Sequence, residues 1–456
     1  MKERITILLG AGAMIDATGV STESLTREII EKCKKFKINK DSDDSVVDVI
    51  CEKLMSIYKA SSENPIFRGI QPIQNALGSE ESLSYEVCGD CHKNEQDNSN
   101  SEQISKIINF EDIFHVLELL VNYYGEEFHK GYGSSYHVFS QIRKEFKELD
   151  ENSAYGSAYA LIDVLNDEVY KYDSQFAVNG QMFKNFFNEI ENNTDYVFDV
   201  FNLNYDTWVE QSLKDYNDGY VNVPGYESKM QRFDSNKFLE ISDNHTVAHL
   251  HGQIYFEYPK FEINDINKFA FQESHNTLYK YLDYSYAKEY RLSTCLNRNY
   301  TQSGEALFKT NIITGLMKTD KLLCSPMNVY HSKMACSLFT NKKLIIIGYG
   351  FPDLYINSLL FQYCYHHYND KKVLMIDFIN DTDWHPEIAH PFTPGDKATF
   401  TNFLYKKDSW YKESKYFQKE EVISSSDNMI CCCGFKNACE KHLPKIIEFL
   451  SKNQPR

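Results

Sequence analysis

Four short stretches hold the side chains and turns that could do chemistry: Gly10-Ala-Gly12, Asn204-Tyr-Asp206, His251-Gly252 and Gly348-Tyr-Gly350. Glycines lack a Cβ, so a turn built on them can lie against an anion such as a pyrophosphate while a following helix points its free N–H groups at it. Histidine, with an ordinary pKa near about 6.5, is largely neutral at neutral pH and can accept a proton as a general base. Each stretch also has a plainer use. Gly-x-Gly serves as a tight turn in any α/β protein, and Ile15 stands where the third glycine of the dinucleotide fingerprint would be. Asp206 can cap a helix and Asn204 can stabilise a turn. His249, two residues before His251 on the same strand face, competes with it for the base role or sits as a satisfied core residue.

The elements that must position these groups follow from hydrophobic patterning. Ile5 to Leu9 reads as a strand ending in the first glycine turn, and a helix from about 21 to 36 follows, with Ser21 as N-cap and Leu25, Ile29 and Cys33 on one face. Tyr196 to Leu203 is a second strand, and Thr207-Trp-Val-Glu210 reads as a capping box that starts a helix at once. Thr246 to Leu250 is a third strand. A helix over Val329 to Phe339 leads to the strand Lys343 to Gly348, after which Asp353 can cap the next helix. The strand Val373 to Ile376 ends at Asp377, whose carboxylate either accepts from ribose hydroxyls or faces solvent. This alternation predicts a Rossmann-like, doubly wound parallel sheet with its site at the carboxyl ends of the strands.

Between residues 37 and 189 the rhythm changes to helical patterns, over 46–58, 104–128, 136–149 and 155–172, which predicts a helical insertion. The core domain is therefore expected to be discontinuous, 1–36 with 190–400. Residues 401–456 form a C-terminal extension whose short amphipathic helix, started by Pro444, packs on the core or on a partner. The run 92–102 is polar and aperiodic, as a mobile loop would be. Lys309 to Asp320 is expected to add a short element near the site.

With 48 basic against 65 acidic residues the net charge is −17, so non-specific nucleic-acid binding would need a local basic patch that the sequence does not advertise. No apolar run is long enough for a bilayer, and Met1-Lys-Glu-Arg leads directly into a strand, so a cytoplasmic protein with reduced cysteines is expected. Cys88-Gly-Asp-Cys91-His92 matches a haem-attachment pattern, which an unexported chain has no use for. Cys88, Cys91 and His92 could join Cys431, Cys432, Cys433, Cys439 and His442 in a zinc site, but the spacing is irregular.

Taken together and in order, the four motifs resemble the sirtuin superfamily, over roughly residues 4–34 and 195–380. The chain looks most like the bacterial sirtuin-like NAD hydrolases of anti-phage defence. Asn109-Phe-Glu-Asp-Ile113 and Thr314-Gly-Leu-Met-Lys-Thr-Asp320 have the look of that group. The resemblance implies that NAD is the substrate and that no metal is required. It implies catalytic roles for His251 as base, Asn204 for the ribose and attacking water, and Asp206 for the nicotinamide side. Gly10, Ala11, Gly12 and Ala13, with Asp16 and Thr22 beyond them, would hold the pyrophosphate side; Gly348, Tyr349 and Gly350 would approach the adenosine half, with Asp377 at the next strand end. It further implies NAD depletion in abortive infection, controlled by a homo-oligomer or by a ring-forming translocase-type ATPase partner, with no direct contact to nucleic acid or membrane.

Two departures weigh against the protein-deacylating sirtuins. Gly19-Val-Ser-Thr-Glu-Ser24 lacks their Pro, Phe and Arg, and only Cys295 lies between Gln253 and Asp320, where they carry a four-cysteine zinc module. An NAD-dependent deacylase and a non-catalytic NAD- or ADP-ribose-sensing subunit are the alternatives. The abortive-infection group with a Gly-Asn-Gly-Phe-Asp opening shares the layout but matches residues 10–14 less well.

Overall fold

The computed structural model describes residues 2–38, 42–63, 104–105, 107–122, 146, 149, 151–258, 277–293, 298–300, 306–308, 310–315, 318, 320–323, 325–367, 370–378 and 421–451. Cys88, Cys91, His92, the polar run 92–102, Cys295 and nearly all of the helix expected over 136–149 lie outside them.

The strands are β1 Arg4–Leu9, β2 Val197–Asn202, β3 Tyr216–Asn217, β4 Tyr220–Asn222, β5 Met230–Phe233, β6 His245–His249, β7 Phe256–Glu257, β8 Tyr279–Tyr281, β9 Arg298–Tyr300, β10 Ala306–Phe308, β11 Lys343–Ile347, β12 Lys372–Ile376, β13 Val422–Ser424 and β14 Asn428–Cys431. The helices used below are α1 Gly12–Thr18, α2 Thr22–Cys33, α3 Val46–Glu63, α4 Phe110–Asn122, α5 Glu151–Asp173, α6 Gln181–Asn193, α7 Trp208–Ser212, α8 Met327–Thr340, α9 Leu354–His367, α10 Gly434–Asn437 and α11 Leu443–Ser451. Among the described residues, no helix is long and apolar enough to cross a membrane.

The chain divides into two compact units, one of Met1–Ser21, Val169–Thr294 and Leu322–Arg456, the other of Thr22–Glu168 and Cys295–Lys321. The first holds an eight-stranded sheet in the order β13-β14-β12-β11-β1-β2-β6-β3, parallel throughout except for the edge strand β13. Setting aside the two-residue edge β3, the six parallel strands stand in the order 3-2-1-4-5-6 along the chain, the order of Rossmann-like sheets. Their register sets Ile376, Ile347, Leu9, Asn202 and His249 side by side, so the turns after five strands begin level with one another.

Parallel strands buried on both faces read as continuous apolar runs, and β11 and β12 are buried at every position. One face of the sheet, carrying Ile5, Ile7, Leu9, Ile345 and Ile347, packs with Phe183, Phe186 and Phe187 of α6 and Ile446, Phe449 and Leu450 of α11. On β2, Asp199 joins the sheet to α8 and its C-cap: its Oδ1 takes Arg4 Nη2 at 2.7 Å, and its Oδ2 accepts from Ser337 Oγ at 3.0 Å and Asn341 Nδ2 at 2.9 Å. Residues 421–451 are thus part of this core. The strand β14 was missed in the sequence because it is only four residues long and follows a long stretch without periodicity. Part of the irregular connection expected over 254–320 instead forms β7 and β8, which pair with β5 and β4 in a four-stranded antiparallel sheet.

In the second unit, α4 opens with a reciprocal cap: Asp112 N–H donates to Asn109 Oδ1 and Asn109 N–H to Asp112 Oδ2, both at 3.0 Å. Lys318 pairs with Glu111 at 3.0 Å and Lys321 with Glu118 at 2.8 Å, so the stretches singled out at 109–113 and 314–320 are held by ion pairs. The described part of 309–320, expected as a short element near the site, belongs to this unit. The chain passes between the units at 21/22, 168/169, 294/295 and 321/322, where the hydrophobic rhythm suggests 36/37 and 189/190; α2 goes with the helical unit and α6 with the sheet.

Candidate functional site

The glycine turns after β1 and β11 are packed against each other. Gly10 N–H donates to Ile347 O at 2.9 Å and Gly12 N–H to Gly348 O at 2.8 Å. A Cβ on Gly348, which has φ +58°, would fall 2.1 Å from Ala13 N, and one on Gly10 would fall 2.5 Å from Gly348 O. The glycines are therefore required for chain-on-chain approach at the point where the strand order reverses. Ala11 stands exposed at the tip of the first turn, and Ala13 is buried beneath it. Gly350 is exposed, and a Cβ there would come no closer than 4.0 Å to Pro352 Cδ.

The second motif reaches the first. Asn204 is buried, and its Nδ2 donates to Gly10 O at 3.2 Å while its own N–H donates to Asn202 Oδ1 at 3.0 Å. Asn202, level with Leu9 and His249, was not picked out in the sequence; its Nδ2 has no hydrogen-bond partner among the described residues. Asp206 is 1% exposed, and its Oδ1 accepts from Trp208 N–H at 3.1 Å, which is the capping use. Its Oδ2 has no partner among the described residues. Burial, reinforced by the charge of Asp173, lifts its carboxyl to about 7.

Thr207 does not form the expected capping box. Its N–H and Oγ1 both donate to Asp173 Oδ1, at 2.7 and 3.0 Å, and Glu210 turns instead to His249. A buried carboxylate from α5 outcompetes the local cap. Tyr255 OH also donates to Asp173, at 3.2 Å.

The structure separates the two histidines. His249 Nε2 lies 2.6 Å from Glu210 Oε1 and its Nδ1 3.2 Å from Asn204 O. Both neighbours are acceptors, so a doubly protonated ring satisfies both, and Glu210 raises the His249 pKa against the burial that opposes it. Glu210 is in turn lowered by His249 despite its burial. With both ring nitrogens engaged in this way, His249 is poorly placed to accept a proton from a substrate. His251, two residues beyond the end of β6 and 6% exposed, has Nε2 3.7 Å from Asp353 Oδ2.

Asp353 comes from the turn after β11, so this contact links the third and fourth motifs. In that turn Tyr349 OH donates to Asn357 Oδ1 at 3.0 Å and Asn357 Nδ2 to Phe351 O at 2.9 Å, fixing Phe351 at φ 62°. His331 of α8 was not singled out in the sequence, for a helical histidine carries no motif. It is buried, donates Nε2–H to Leu250 O at 3.1 Å, and feels the charge of Asp353. Burial lowers its pKa, which leaves a neutral ring beside the loop that carries His251.

Three more of the proposed ligand residues have structural partners or places of their own. Asp16 is exposed and accepts from Lys436 N–H at 2.9 Å, serving the start of α10. Thr22 opens α2 in the second unit. Asp377 follows β12 and accepts from Phe378 N–H at 2.8 Å, while its carbonyl takes Gly434 N–H at 3.0 Å.

The arrangement can thus offer a buried carboxyl titrating near neutrality, a buried amide, and a histidine paired with a carboxylate, all at one end of a parallel sheet. No protein-family model matches the chain, and no curated protein is significantly similar to it.

Proposed function

We propose that the chain is a sirtuin-like NAD glycohydrolase, cleaving the nicotinamide–ribose bond to give nicotinamide and ADP-ribose. The observation that carries this reading is the bond from Asn204 Nδ2 to Gly10 O, which ties the Asn-x-Asp motif to the glycine turn where the strand order reverses. Open α/β sheets bind dinucleotides at that position. The pairing of His251 with Asp353 and the engagement of His249 by Glu210 support His251 as the base.

In this reading Gly10, Ala11, Gly12 and Ala13 lie along the pyrophosphate, and Gly348, Tyr349 and Gly350 along the adenosine half. Asn204 orients ribose and water, and Asp206 faces the nicotinamide side. The C1′–N bonding pair leaves with nicotinamide, which departs neutral from a pyridinium. Water oxygen bonds to C1′, and His251 takes its proton while Asp353 steadies the ring. No metal is needed for such a step, because orientation and a base suffice. Unrestrained NAD loss would be toxic, so activity in anti-phage defence would be gated by a homo-oligomer or a ring-forming ATPase partner.

A second reading, an NAD- or ADP-ribose-sensing subunit without turnover, draws on the glycines of the two turns serving each other's packing. Incubation of the purified chain with NAD, with and without an acylated peptide, and chromatography of the products separates the readings. Nicotinamide and ADP-ribose in equal amounts without peptide are expected. NAD loss strictly dependent on the peptide would make the protein a deacylase, and binding without loss would favour the sensor.

A further inference from the structure

At the far edge of the sheet, three side chains of different chemistry converge from three elements. Glu421 directly precedes β13, Cys433 is the N-cap of α10, and His442 ends a π-helical turn, Ala438–His442, that joins α10 to α11. His442 Nε2 lies 2.8 Å from Glu421 Oε2, and one ligand atom of each of the three side chains, Cys433 Sγ among them, lies within 4.8 Å of the others. Lys441 Nζ touches the other carboxylate oxygen, Oε1, at 3.3 Å, leaving Oε2 to the histidine. π-Turns are rare and are commonly kept where they aim a side chain at a functional site.

We propose that Glu421, Cys433 and His442 bind a zinc ion, with water in the fourth position. Thiolate, imidazole and carboxylate are together a zinc donor set, and bonds of about 2.0–2.3 Å place ligands roughly 3.3–3.8 Å apart around a tetrahedron. The trio reaches that spacing by side-chain movements of about an ångström. Glu421 is half exposed, with its side chain 49% accessible, so the ion and its water have a route in. On binding, the Cys433 S–H gives its proton to solvent and the sulfur pair forms the metal bond. The ion fastens the β13–β14 hairpin to the helix that carries Ile446, Phe449 and Leu450 into the core. Through α10, whose Lys436 N–H is held by Asp16, it braces the helix that follows the first glycine turn. The thiols of Cys431 and Cys432 are buried next to this trio in sequence but are not members of it.

The test is zinc loading of the full-length chain, dialysis, and atomic absorption on wild type, Cys433→Ser, His442→Gln and the double variant Cys88→Ser/Cys91→Ser. About one zinc per chain is expected in wild type and in the double variant. Cys433→Ser and His442→Gln each remove a ligand and should weaken binding at least as much as the roughly 10–100-fold that loss of an outer-shell partner costs. Cobalt(II) substitution should give a thiolate-to-metal charge-transfer band that Cys433→Ser abolishes while circular dichroism is unchanged. Less than a tenth of a zinc per wild-type chain, equal binding by Cys433→Ser, or loss of zinc only in the Cys88/Cys91 variant would overturn the proposal.

Discussion

Asp206 illustrates how burial, reinforced by the neighbouring charge of Asp173, makes a residue responsive near neutral pH. Its carboxyl is raised to about 7, against about 3.9 for an unfolded aspartate, so the folded chain holds a proton that the unfolded chain has lost. The protonated form therefore stabilises the fold at low pH, and that contribution is lost as pH rises from about 4 to 7, by at most about 1.4 kcal/mol per pH unit. Urea unfolding at pH 5 and pH 7 should show a larger loss for wild type than for Asp206→Asn; equal losses would mean that Asp206 ionises normally. His249 and Glu210 behave in the opposite manner, as a pair that is charged when buried. Glu210→Gln should cost about 3–5 kcal/mol in denaturant unfolding, because it leaves a buried cation, and the double replacement His249→Leu/Glu210→Met should cost less than the single change.

At the level of elements, the two glycine turns set the geometry of the site more than any side chain. Gly348→Ala combines a left-handed backbone with a Cβ on top of Ala13 N, and should cost about 2–5 kcal/mol. Gly350→Ala places its Cβ in ordinary contact with Pro352 Cδ, 4.0 Å away, and should leave the unfolding free energy within about 0.5 kcal/mol of wild type. The alternation of apolar strands with glycine turns was legible because burial on both faces of a parallel sheet demands continuous aliphatic runs. The Thr207–Glu210 capping box was misread because a local pattern cannot report a distant carboxylate: Asp173, on α5, takes the threonine. His331 was invisible for the same reason, its role being defined only by Leu250 O and Asp353 across the fold.

For the molecule as a whole, the C-terminal residues complete the sheet and do not merely extend it. β14 pairs in parallel with β12, and α11 fills one face of the core, so deletion of residues 421–456 should abolish cooperative unfolding and leave the chain insoluble. A soluble truncated chain with a sharp thermal transition would contradict that. The long stretch between β12 and β13 hid this strand, since nothing in its sequence signals a return to the sheet. The proposed reaction at the strand ends turns on His251. It is tested most directly by following NAD by chromatography with wild type and His251→Ala at equal concentration. Wild type should convert NAD to nicotinamide and ADP-ribose, and the variant should lose about 100-fold or more of that rate, in keeping with removal of a general base. An unchanged rate in His251→Ala, or intact NAD with wild type, would contradict it.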